Sequence, residues 1–148
     1  MASVQKVTVI LDGSNAWHDW LEVVKTKARA GKVWEYIDPS LTTDEVRKLV
    51  EPKIPEPSDV NEGVESPVDL ADDELKKLRE LQQAVKPKVR EFELKEKALN
   101  EMVKHIQETV SSTYLSWTYD CNTVYDMLVA LQKRLIGLIK RVTLMKFE

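Results

Sequence analysis

The feature that most constrains this 148-residue chain is a long stripe of apolar residues at helical spacing in its second half. Steps alternating between three and four residues lead from Leu75 through Leu78, Gln82, Val85, Val89, Phe92, Glu96, Leu99, Val103 and Ile106 to Val110. Nine of these eleven positions are apolar, the pattern of one face of a long amphipathic helix. Pro87 falls inside the stripe. It lacks an N–H and crowds the carbonyl of Gln83, at a cost of about 3 kcal/mol in a helix interior, so a kink or a break into two helices is expected there.

Shorter elements surround this stripe. Val7, Val9 and Leu11 alternate with Thr8 and Ile10 as a short extended segment. After Ser14-Asn15 the period changes, and Trp17, Trp20, Leu21, Val24 and Ala28 share one helical face. Ser14 or Asn15 is placed to cap that helix, and Gly31 suits a left-handed position beyond its last turn. Val33, Trp34 and Ile37 fall on one side of a short turn that stops before Pro39. The run SLTTDEVRKLV predicts a brief helix through Val50, capped by Thr42 or Thr43. VSSTYLSWTYD is a connector. Asn122 or Thr123 then caps a last helix that turns Val124, Met127 or Leu128, Leu131, Leu135 and Leu138 inward. The expected fold class is all-α.

Between these helical regions, residues 51–74 carry nine acids against the single base Lys53, and four of the six prolines. So little apolar surface cannot offset the entropy of ordering the chain, which predicts an exposed acidic, Pro-rich linker over 51–70. The expected organisation is an N-terminal helical unit over 1–50, the linker, and residues 71–148 packing with 1–50 as one domain.

No apolar run approaches the roughly 20 residues of a membrane span, so no membrane association is expected. A formal net charge of −3 gives no general attraction to nucleic acid. Cys121 is the only cysteine, which excludes an intrachain disulfide or a zinc knuckle and suits a reducing, cytoplasmic setting. His18 and His105 are far apart and read as non-catalytic. Cys121 has no histidine at a recognisable spacing, and Ser111-Ser112-Thr113 ends a helix more plausibly than it supplies a nucleophile. No catalytic, cofactor-binding or metal-binding residue is assigned. Trp17, Trp20, Trp34 and Trp117 read as core side chains rather than base-stacking platforms. The one basic patch lies in LQKRLIGLIKRVTLMKFE, where Lys133, Arg134, Lys140 and Arg141 share a face and are candidate RNA contacts. The same end is rich in apolar side chains, and Leu135, Leu138, Ile139 and Val142 are candidate self-association residues.

Two families compete for the stretch VTVILDGSNAWHDW. Its alternating segment running into Asp12-Gly13-Ser14-Asn15 resembles the first strand of a PIN/NYN-type nuclease, where an Asp holds a metal. That reading requires further strands bringing more carboxylates together, and none follows Leu11. The order of signals along the chain instead resembles copia-type LTR-retrotransposon Gag. Leu11, Gly13 and Asn15 precede Trp17 and Trp20, and Val33-Trp34-Glu35-Tyr36-Ile37-Asp38-Pro39 follows. Later come FELKEKALNEMVKHIQETV, ending at Val110, then Tyr114-Leu115, and then NTVYDMLVALQKRL. Together these motifs span most of residues 7–136.

The resemblance implies a capsid-like, multi-helix domain that associates with itself into virus-like particles around retroelement RNA, without enzymatic activity or cofactor. Its partners would be further copies of itself or full-length Gag, with RNA at the basic tail. The motif residues Leu11, Gly13, Asn15, Trp17, Trp20, Trp34, Tyr114 and Leu115 would be structural. Asp12 would then favour the start of a helix rather than hold a metal. The pattern departs from the family at Pro87 and after Leu135, which suggests a truncated or host-retained Gag. The alternative role is a retained Gag fragment that binds intact Gag and blocks its assembly.

Overall fold

A computed structural model describes residues 8–146, with side chains of the last helix described as far as Gly137. The fold is all-α. Among the described residues the α-helices are α1 (Trp17–Ala30), α2 (Asp72–Thr109), α3 (Ser112–Leu115) and α4 (Val124–Lys146), with short 3-10 turns between them. They belong to two compact units. One combines the chain up to Lys48 with the chain from Lys97 onward, and the other holds residues 49–96. The division falls inside α2 rather than at the ends of the acidic segment, so residues 71–96 group with that segment.

In the first unit, Val9 and Ile10 extend no sheet. Leu11 alone makes a parallel bridge, to Val110 just beyond α2. Its N–H donates to the Thr109 carbonyl at 2.7 Å, and its own carbonyl accepts from Ser111 N–H at 3.0 Å. A helix leaves its last carbonyls without intrahelical donors, and the extended segment supplies one of them here. Leu11 is fully buried, so the same residue also contributes about 1.5–3 kcal/mol of apolar burial.

A 3-10 turn, Ser14–Ala16, leads into α1. The N-cap position therefore falls on Ala16, which has no side-chain acceptor, and neither Ser14 nor Asn15 caps the helix as expected. The apolar face is as the spacing predicts: Trp17, Trp20, Val24 and Ala28 are buried.

At the other end of α1 the left-handed residue is Lys32, with φ 60°, and not Gly31, with φ −85°. Val33 N–H donates to the Ala28 carbonyl at 2.8 Å and Lys32 N–H to the Arg29 carbonyl at 3.0 Å. This pair of bonds is the Schellman closure, and it fixes the left-handed residue one place beyond Gly31. Gly31 is required for a different reason. A Cβ there would lie 2.8 Å from the Ala98 Cβ, so a glycine lets α1 and α2 cross closely.

The brief helix expected before Val50 is a single turn. Thr42 Oγ1 accepts from Glu45 N–H and Glu45 Oε1 accepts from Thr42 N–H, a reciprocal cap with no helix after it. That amide bond to Thr42 holds the Glu45 carboxyl below its usual range. Arg47 N–H donates instead to the Glu35 carbonyl, and the Arg47 guanidinium pairs with the Glu35 carboxylate at 3.2 Å. These bonds draw the chain out of helical geometry.

At α4 the expected cap forms: Thr123 Oγ1 accepts from Asp126 N–H at 3.1 Å. Val124, Met127, Leu128, Leu131 and Leu135 are buried along one face. The expectation for Leu138 lies outside the described side chains. With Met102, Ile106 and Val110 of the α2 end, and with Val33, Tyr36 and Ile37, these residues form the core.

The second unit shows that the acidic segment is not a featureless linker. Its acids act as local acceptors. Asp59 Oδ2 takes Glu56 N–H at 2.7 Å across the 3-10 turn Pro57–Asp59. That bond holds the Asp59 carboxyl low, against a smaller opposing effect of burial. Ser66 caps a second turn, Pro67–Asp69, and Glu74 Oε1 takes Ala71 N–H at the start of α2. Leu70 and Leu78 are buried, and Gln82 Nε2 donates to the Pro55 carbonyl at 3.1 Å.

Of the kink or break expected at Pro87, the break does not occur: α2 is one helix from Asp72 to Thr109. Pro87 and Gln83 are both exposed, so water can serve the carbonyl that the missing N–H leaves free.

Candidate functional site

The first unit holds a polar joint within its largely apolar core. Trp20 is fully buried and its indole N–H donates to Thr109 Oγ1 at 2.8 Å. The Thr109 hydroxyl in turn donates to the His105 carbonyl at 2.7 Å, while the Thr109 carbonyl receives Leu11 N–H. One residue at the last turn of α2 therefore fastens α1 and the extended segment together. Thr109 carried no signal by itself. The clue was Trp20, because a buried indole N–H requires an acceptor.

Of the motif residues, Leu11, Trp17 and Trp20 are buried, whereas Trp34, Tyr114 and Leu115 are half-buried. Gly13 has extended backbone and open space where a Cβ would stand, and Asn15 is exposed, so neither is sterically required. Trp34 lies beneath the Lys25 ammonium at 5.5 Å. Trp117 packs on Tyr114 at 4.7 Å between ring centroids and carries the Arg134 guanidinium on its face at 4.9 Å.

Asp12 is exposed, and among the described residues no three His, Cys, Asp or Glu side chains converge to hold a metal. His18 is exposed on α1. His105 is half-buried, and its Nε2 is shielded from solvent without a hydrogen-bond partner. Burial and the nearby Lys27 ammonium lower its pKa, with Glu108 opposing them. Cys121 lies in a cavity of about 260 Å³ with Val103, Leu115 and Met127. Burial, and then the carboxylates of Asp126 and Asp120, raise its thiol pKa and keep it in the unreactive form.

The basic tail is only partly in view. Lys133 and Arg134 are exposed, Arg134 being engaged with Trp117. Lys140 and Arg141 lie outside the described side chains, as do Leu138, Ile139 and Val142. Leu135, expected to face a partner, is fully buried in the core and has no surface to offer one.

A second basic surface was not anticipated. Residues 23–34 hold Lys25, Lys27, Arg29 and Lys32 and no acid, and among the described residues none of these four joins a salt bridge. Of the four, Lys27 alone lines a cavity of about 340 Å³ that opens where α1 crosses α2, together with Ala30, Gly31, Ala98, Glu101, Met102 and His105.

No helix among the described residues is long and apolar enough to cross a membrane. Comparison with protein-family models, with curated proteins and with solved structures finds no match to this chain.

Proposed function

We propose that this chain is a non-enzymatic helical assembly domain, of the capsid type found in copia-type Gag, that associates with further copies of itself around retroelement RNA. The observation that supports this reading is where the Gag-like residues lie. Leu11 and Trp20 meet the last turn of α2 at Thr109, Trp17 packs on Trp20, and Trp34, Tyr114 and Leu115 belong to the same unit. Residues of the Gag-like order thus contribute to one junction, which supports the reading. The lone thiol suits the cytoplasm, where thiols remain reduced. Exposed Lys133 and Arg134, continued by Lys140 and Arg141 in sequence, are the RNA-facing candidates of this reading.

Negative-stain microscopy of the concentrated protein, with and without RNA, tests the proposal. Closed particles or regular oligomers are the expected result. Separate single molecules under every condition would overturn it. Suppression of particle formation when the chain is added to intact Gag would favour the alternative, a fragment that blocks assembly.

A further inference from the structure

The connector between α3 and α4 carries a cluster that the core does not absorb. Trp117, read from the sequence as a core side chain, is half-buried, and its ring packs on Tyr114 with the planes tilted by 56°. Two hydroxyls tie down the turn that carries it. Ser116 Oγ donates to the Thr113 carbonyl at 2.8 Å, and Thr118 Oγ1 donates to the Leu115 carbonyl at 2.7 Å. Over the Trp117 ring, 4.9 Å from its centroid, lies the Arg134 guanidinium. Arg134 and its neighbour Lys133 are exposed, and among the described residues neither joins a salt bridge. Asp120 and Asp126, the acids of this stretch, are exposed, and their charge bears on the Cys121 thiol.

A guanidinium is planar, always charged and weakly hydrated, so it stacks on flat π-systems. Trp117 takes one side of the Arg134 group, and the exposure of Arg134 leaves the other side to water. Unpaired RNA bases stack on guanidinium planes as they do on aromatic rings. Flat groups for bases and cations for phosphates are together the two requirements of a single-strand site. A duplex presents the phosphates but keeps its bases stacked within the helix. We infer that Arg134, backed by Trp117 and Tyr114, is a stacking site for an unpaired base of single-stranded RNA, with Lys133 meeting the adjoining phosphate. The inference rests on the proposed association with RNA and specifies what is recognised there. The strand is unpaired, and its sequence matters little, because every base has a π-face.

Fluorescence anisotropy with two labelled strands of equal length and charge tests this site. One is oligouridylate, and the other is the same ribose–phosphate strand without bases. The wild-type chain should bind oligouridylate about tenfold more tightly than the abasic strand. Arg134→Lys keeps the charge and removes the flat group. That preference should then fall to about twofold or less, with the salt dependence unchanged. Lys133→Gln should weaken both strands alike and lower the slope of log affinity against log salt by about 0.7. Both positions are exposed, and far-UV circular dichroism checks that each variant is folded. Equal affinity of the wild-type chain for the two strands would overturn the stacking site and leave the proposed function standing, with RNA held by charge alone. An Arg134→Lys variant that keeps the full preference would do the same. Absence of binding to either strand would overturn the inference together with the proposed RNA contact, while particle formation in negative stain decides self-association separately.

Discussion

Replacing Thr109 with Val isolates the joint between α1 and α2. The two side chains are close in shape, so the change removes a hydroxyl without opening a cavity. It leaves the Trp20 indole N–H, now 2.8 Å from Thr109 Oγ1, buried with no acceptor. An orphaned buried donor costs about 1–3 kcal/mol, far more than the net value of an average hydrogen bond. Thr109→Ser keeps the hydroxyl and removes one methyl, so about 1 kcal/mol is expected. Trp20→Phe supplies the control, because it removes the donor while the Thr109 hydroxyl still has the His105 carbonyl. In that background Thr109→Val should lose most of its penalty, giving a coupling of about 1 kcal/mol or more. Urea unfolding followed by tryptophan fluorescence is the assay. All four tryptophans lie in the first unit, so the signal reports that unit alone. A Thr109→Val penalty that is equal in both backgrounds, or below about 0.3 kcal/mol, would refute the role given to this bond.

Three further outcomes are expected. Lys32→Gly should stabilise the protein by about 0.5–1 kcal/mol in thermal unfolding, because relief of a left-handed non-glycine residue outweighs the added freedom of the unfolded chain. Gly31→Ala should destabilise by about 1–3 kcal/mol through its contact with Ala98, and Ala98→Gly in the same chain should recover part of that loss. His105, with its folded-state pKa lowered, is neutral when folded and takes up a proton more readily when unfolded. Stability from this residue is therefore complete above the ordinary histidine value of 6.5 and declines as pH falls below it towards the lowered value. His105→Gln should flatten that part of the stability–pH profile measured by urea unfolding.

The helical core was legible because burial imposes period. Trp17, Trp20, Val24 and Ala28 on α1, and Val124, Leu128, Leu131 and Leu135 on α4, are buried where their spacing puts them. What spacing does not encode are contacts between elements distant in sequence. The Leu11 segment reads locally as a strand, yet Leu11 takes its backbone partners from Thr109 and Ser111, about a hundred residues away. Pro87 reads as a kink or a break, but the helix continues through it, with Pro87 and Gln83 both exposed to water. Gly31 was read by its own backbone freedom, whereas its requirement comes from Ala98 on another helix. The surfaces follow the same rule. Leu135 has the composition of an interface residue and is core, while the cavity beside Gly31 exists only because α2 crosses α1 there.

The most direct test of the account is sedimentation velocity of the intact chain over a dilution series. The account predicts a weight-average mass that rises with concentration above that of the 17.0 kDa chain. A single monomeric boundary at every concentration and salt would contradict it.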